Sequence, residues 1–204
     1  MHIKHLLFVA IILIGFCSLP AFAGPAKFVG VNDCKKCHKK PKGKSAYDVW
    51  KKSKHAKAYH LLGSEKAKKK AVEVGLKTDP QKSKECLVCH TAGYGAPKKL
   101  LGKKYKIEDG VQCENCHGAG GNYKKKKLMK KIYKERKKGG NTLALKYGLD
   151  RGTKDTCVKQ CHQPERIIDG VTYVNPSYQE FDFEKRVKEI AHPVIKKKKK
   201  KKKK

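Results

Sequence analysis

The sequence predicts a mainly α-helical fold, with helices joined by long loops and little β structure. Three observations predict it. Helix start and stop signals recur along the chain. Stretches rich in glycine and proline separate them. The apolar share, 38% of 204 residues, is low for a globular chain of this length, and small domains bury proportionally little surface. A conventional core would be thin, so large flat apolar groups are expected to fill the interior.

The elements follow in order. Ser45 with Asp48 three residues on reads as a capping box opening a helix over residues 46–62. A second helix is expected over 65–74, capped by Ser64 and stopped at Gly75. Residues 91–102 hold three glycines and a proline and read as loop. Residues 123–138 form a basic, helical stretch ending at Gly139-Gly140. Residues 164–177 look irregular. A last short helix is expected over 183–191, ended by Pro193 because the residue before proline resists helical angles.

The two ends carry their own signals. Lys4 and His5 precede an apolar run over 6–16, and Ala21-Phe22-Ala23 supplies small residues before Gly24. This is the pattern of a signal peptide cleaved after Ala23. The run is too short to span a bilayer comfortably. The organisation expected is a signal peptide over 1–23, one domain over 24–195 and a disordered poly-lysine tail over 196–204. The implied location is periplasmic. The formal charge of +33 favours acidic partners. Nucleic acid is not an expected partner of an exported protein. The lysine tail suits peripheral contact with an anionic membrane or surface.

Nine cysteines are present, and Cys17 falls in the signal segment. The other eight form four pairs, each followed by histidine. They are Cys34/Cys37/His38, Cys86/Cys89/His90, Cys113/Cys116/His117 and Cys157/Cys161/His162. C-x-x-C-H is the attachment sequence for c-type haem. Two thiols bond one edge of the porphyrin, and the adjacent histidine reaches the iron as proximal ligand. Zinc sites do not place histidine directly after every pair, and a disulfide framework has no need of it. Four covalent haems c are therefore expected. The fourth motif has one residue more between its cysteines, with a single thioether or an unfilled site as the alternative. The first cysteines are 52, 27 and 44 residues apart, so the second and third motifs are expected to be neighbours.

A second histidine on an iron gives a six-coordinate site suited to electron transfer, and an open face admits small ligands. Outside the motifs and residues 1–23, the histidines are His55, His60 and His192. These are the distal candidates. On one continuous helix His55 and His60 would lie about 140° apart and serve different haems. Met129, lysine, tyrosine or a neighbouring subunit are the alternatives for a fourth iron, although Met129 reads foremost as a partly buried helix residue.

Over residues 30–192 the sequence resembles the tetrahaem cytochrome c-554 family, known from ammonia-oxidising bacteria. The carriers of the resemblance are the first motif followed by Trp50 and His55-Ala-Lys-Ala58, and Glu85 through His90 followed by Gly93-Tyr-Gly95. Two more are Gly110-Val-Gln-Cys-Glu-Asn-Cys-His-Gly-Ala-Gly120, and Phe181 through His192. The resemblance implies helices wrapped around closely stacked haems. It implies electrons received from a periplasmic oxidoreductase and passed to an acceptor cytochrome or quinone-linked complex. It implies mostly bis-histidine irons, one lacking a protein distal ligand, with His55 and His192 at distal positions. Two departures stand out. The family's further distal histidine after the third motif has no counterpart in 120–140, a role His60 is a candidate to take, and the fourth motif is longer. The function expected is an electron carrier rather than an enzyme. The alternatives are a nitric oxide reductase at a five-coordinate haem and a subunit of a haem polymer or larger complex.

Overall fold

The computed structural model describes residues 25–192 apart from Lys42 and Lys44. The expected signal peptide and lysine tail lie outside the described residues. The chain is mainly helical, and its helices are short. They are α1 (Val31–His38), α2 (Ala46–Lys52), α3 (Ala58–Leu61), α4 (Glu65–Glu73), α5 (Lys84–His90) and α6 (Cys113–His117). After them come α7 (Lys126–Lys137), α8 (Thr142–Lys146), α9 (Lys154–Gln160) and α10 (Phe183–Ile190). A hairpin of β1 (Glu165–Ile168) and β2 (Val171–Val174) stands between α9 and α10.

The cap signals act as expected. The Ser45 hydroxyl accepts the Asp48 N–H at 3.1 Å, and the Asp48 carboxylate accepts the Ser45 N–H at 3.3 Å. Ser64 accepts the Ala67 N–H at 3.2 Å and starts α4. Asp182 starts α10 by accepting the Lys185 N–H at 3.0 Å.

Two expectations are corrected. The single helix over 46–62 is broken. Ser53 takes an extended conformation, its hydroxyl donates to the Trp50 carbonyl at 2.7 Å, and a 3-10 turn (His55–Lys57) intervenes before α3. A side-chain hydroxyl that satisfies the last carbonyls competes with continued helix. The stretch over 164–177 is not irregular. Asp169 and Gly170 both have positive φ, 53° and 80°, as a tight two-residue hairpin turn requires. The Asp-Gly pair was the sequence signal for it.

The apolar core is small. Tyr123, Ile132, Ala144 and Leu149 are buried, with Leu128, Met129, Leu143 and Tyr147 packed against them. Met129 is thus part of the α7–α8 packing. At the corner between those helices, the Glu135 carboxylate accepts the Leu143 N–H at 3.0 Å and Arg136 Nε donates to Asn141 at 2.9 Å.

Candidate haem-binding centre

Each motif is carried by a short helix. α1, α5 and α6 end on the motif histidine itself, His38, His90 and His117. Positions i and i+3 share one helix face, so both thiols of each pair point the same way. The fourth motif differs as its extra residue dictates. α9 ends at Gln160, Cys161 is the first residue beyond it, and His162 turns back to donate its N–H to the Cys157 carbonyl at 3.0 Å.

The tertiary structure sorts the motifs into pairs. Cys34 of the first lies beside Cys113 of the third, close enough for the two thiols to influence each other. Cys161 of the fourth lies against the second, its thiol donating to the Cys89 carbonyl at 3.8 Å. The second and third also touch, through Asn115 Nδ2 donating to the Thr91 carbonyl at 3.0 Å. All eight motif cysteines are free of disulfides.

The segment 55–58 joins three motifs. The His55 carbonyl accepts the Val111 N–H at 3.0 Å, just before the third motif. Trp50 Nε1 donates to the Val111 carbonyl at 2.8 Å and fixes α2 to the same residue. The Ala58 carbonyl accepts His90 Nδ1–H of the second motif at 2.8 Å. The His55 ring faces His162 of the fourth motif, with ring centroids 6.2 Å apart.

The histidines are prepared as ligands. A carbonyl only accepts, so His90 donates through Nδ1 and keeps Nε2 free. His117 does the same towards the Asp150 carbonyl at 3.0 Å. Holding one ring nitrogen in this way fixes tautomer and orientation for a metal. Burial pushes His38, His55, His117 and His162 below the ordinary imidazole value, which favours the neutral, ligating form.

Two histidine pairs result. His192, just beyond α10, faces His117 with centroids 5.8 Å apart and rings nearly perpendicular. Imidazole binds first-row metals at about 2 Å, so two rings on opposite sides of one ion place their centroids about 6 Å apart. An edge-to-face aromatic contact has the same range. The pairing decides between them: in both pairs one ring directly follows a cysteine pair and the other comes from a distant helix or turn. The residues therefore fit a haem iron.

His60 is placed elsewhere. It is exposed, packs edge-on against Tyr59 at 5.8 Å and acts electrostatically on Asp109. Among the described residues no ring contact pairs His60, His38 or His90 with another histidine. For His60, the continuous helix expected over 46–62 is interrupted at Ser53 before α3 begins.

Sequence reasoning missed the residues that hold the motifs in place. Glu114, between the third pair's cysteines, is 3% exposed. Its carboxylate accepts the N–H groups of Val29 (2.8 Å), Gly30 (2.8 Å) and Gly120 (2.7 Å). Gln112 accepts the Val31 N–H at 3.0 Å and donates to the Lys106 carbonyl at 2.8 Å. A motif's spacer residues carry no periodicity, and nothing in the pattern marks them. Gly30 has φ 81°, and a Cβ there would strike the Lys104 carbonyl.

A family described as "Cytochrome c554 and c-prime" matches residues 33–118. That segment holds the first three motifs and His55, and stops before the fourth motif and His192. The cytochrome c-554 of Nitrosomonas europaea is 34% identical over 124 residues, covering 53% of this chain and 46% of that protein. Over these residues the chain is similar to the cytochrome c-554 family. The likeness implies haem c bound covalently at the cysteine-pair motifs. The alignment spans less than half the length of the curated relative. No solved structure matches the chain.

Proposed function

We propose that this chain is a periplasmic tetrahaem relay that takes single electrons from one redox protein and delivers them to another. The observation that carries the reading is the set of four cysteine-pair motifs drawn into contact by the fold. Each pair supplies two thiols for covalent attachment, and His38, His90, His117 and His162 supply the proximal nitrogens. His55 would join His162, and His192 would join His117, in holding the irons of the fourth and third motifs. Bound haem supplies one-electron redox chemistry. The chain's part is to hold the sites close, fix ring orientation and limit solvent. Its positive charge suits acidic donor and acceptor proteins.

A second reading rests on one specific feature. Among the described residues no ring contact pairs His38 or His90 with another histidine, although His38 lies near enough to His192 and His117 to feel their charge. An iron there with an open face would take a small ligand such as nitric oxide.

The deciding experiment joins mass and spectroscopy. The mature protein is expected to weigh as the polypeptide from Gly24 plus four haems. His55→Ala and His192→Ala are each expected to convert one low-spin iron to high spin, and His60→Ala to leave the spectra unchanged. Fewer than four haems would defeat the tetrahaem reading. A nitric oxide complex turning over on the reduced protein would move the assignment to the enzyme.

A further inference from the structure

Asp33 stands one residue before Cys34 and gathers lysines from three separate segments. Lys36 of α1 lies 2.7 Å from its carboxylate, Lys124 after α6 lies 2.6 Å away, and Lys104 of the preceding loop lies 3.5 Å away. The carboxylate side chain is 13% exposed, whereas the lysines are 60%, 47% and 50% exposed in the same order. One inward negative charge thus holds three outward positive ones, a fixed surplus of two. Lysine is a point charge on a flexible stem. Anchoring three of them in the free protein removes ordering cost from any later association.

The neighbourhood adds to this. Cys37 is exposed, and the other motif cysteines are half-buried. A group attached there meets the surface at this point. From Cys34 to Lys44 the sequence has six lysines and no carboxylate. The fourth motif is flanked instead by Asp155, Glu165 and Asp169 among its lysines.

We propose that the Asp33 lysine triad is the docking surface for an acidic redox protein, whose carboxylates meet Lys36, Lys104 and Lys124 while the electron crosses at the first motif. This rests on the relay reading and names where its partner binds. One electron leaves the reduced partner and one ferric iron becomes ferrous; no bond forms or breaks.

The test is stopped-flow reduction of the full holoprotein by reduced flavodoxin, an acidic one-electron donor, at stepped ionic strength. A neutral hydroquinone serves as comparison donor. The triple variant Lys36→Gln/Lys104→Gln/Lys124→Gln is expected to lose about tenfold in second-order rate at low salt and to show a flatter salt dependence. The triple Lys154→Gln/Lys159→Gln/Lys185→Gln removes equal charge near α9 and α10, and is expected to change the rate less than about twofold. Equal losses in the two triples would overturn the proposal, since net charge alone would then explain them. Lys104→Gln leaves the two shorter contacts on Asp33 in place and is expected to lose about twofold to threefold, with unchanged haem spectra; an unchanged rate would also overturn it. Rates with the hydroquinone are expected to be the same throughout, and a parallel loss there would count against docking. A wild-type protein reduced by neither donor would instead defeat the relay reading itself.

Discussion

The first and third motifs are joined differently from the second and fourth. Between the first pair the ties are buried. Glu114 reaches back to three backbone N–H groups, Gln112 to a fourth, and the Asp33 cluster closes the outside. Between the second pair they are exposed or only partly buried. Thiol–carbonyl contacts run from Cys89 to Gln160 and from Cys161 to Cys89, Arg166 reaches the Gln160 carbonyl, and Lys84 pairs with Asp169 at 2.7 Å. The hairpin beside them exposes Ile167, Val171 and Val174. A charge-assisted bond to a buried amide is strong because its loss leaves unmet donors. An exposed ion pair is screened and adds little. The first pair is therefore held by the polypeptide, and the second pair depends more on what it binds.

Glu114→Ala should separate the two regions most sharply. It leaves three buried N–H groups unmet, at about 1–3 kcal/mol each, so a loss of about 4 kcal/mol is expected. Chemical denaturation together with haem content would show it. Gly118→Ala comes next. Gly118 directly follows His117 with φ 75°, and a Cβ there would strike the Gly148 carbonyl. A strained left-handed residue costs about 1–3 kcal/mol, which the same denaturation series would resolve.

Acid should weaken both regions. Burial lowers His38, His55, His117 and His162 from 6.5. The unfolded chain then binds protons before the folded one does. Stability is full above 6.5 and falls as pH drops below it towards the folded values. Denaturation midpoints taken from neutral to acid pH would show the slope, and a flat profile would mean these rings are not held neutral. The smallest effect is expected for Asp169→Asn, which removes an exposed ion pair and should leave the midpoint unchanged. A loss there as large as that of Glu114→Ala would erase the contrast between the regions.

Part of this was legible in the sequence. The caps at Ser45 and Ser64 are local hydrogen-bonding devices, and local chemistry reads directly from the residues. The hairpin turn was equally local, carried by Asp169-Gly170, and was overlooked. The break after Lys52 was not legible, because it depends on the Ser53 hydroxyl choosing the Trp50 carbonyl and on Val111 claiming the His55 carbonyl. The role of Glu114 was hidden for the same reason: its partners lie 85, 84 and 6 residues away.

The sequence alone determined the chemistry of attachment. Thiol spacing and the following histidine are covalent and adjacent in the chain, so no fold is needed to read them. Only the tertiary structure decided which motifs meet and which histidine faces which. It set His55 towards His162 and His192 towards His117, and left His60 exposed against Tyr59. Such pairings join residues far apart in the chain, through backbone carbonyls and buried carboxylates that carry no pattern of their own.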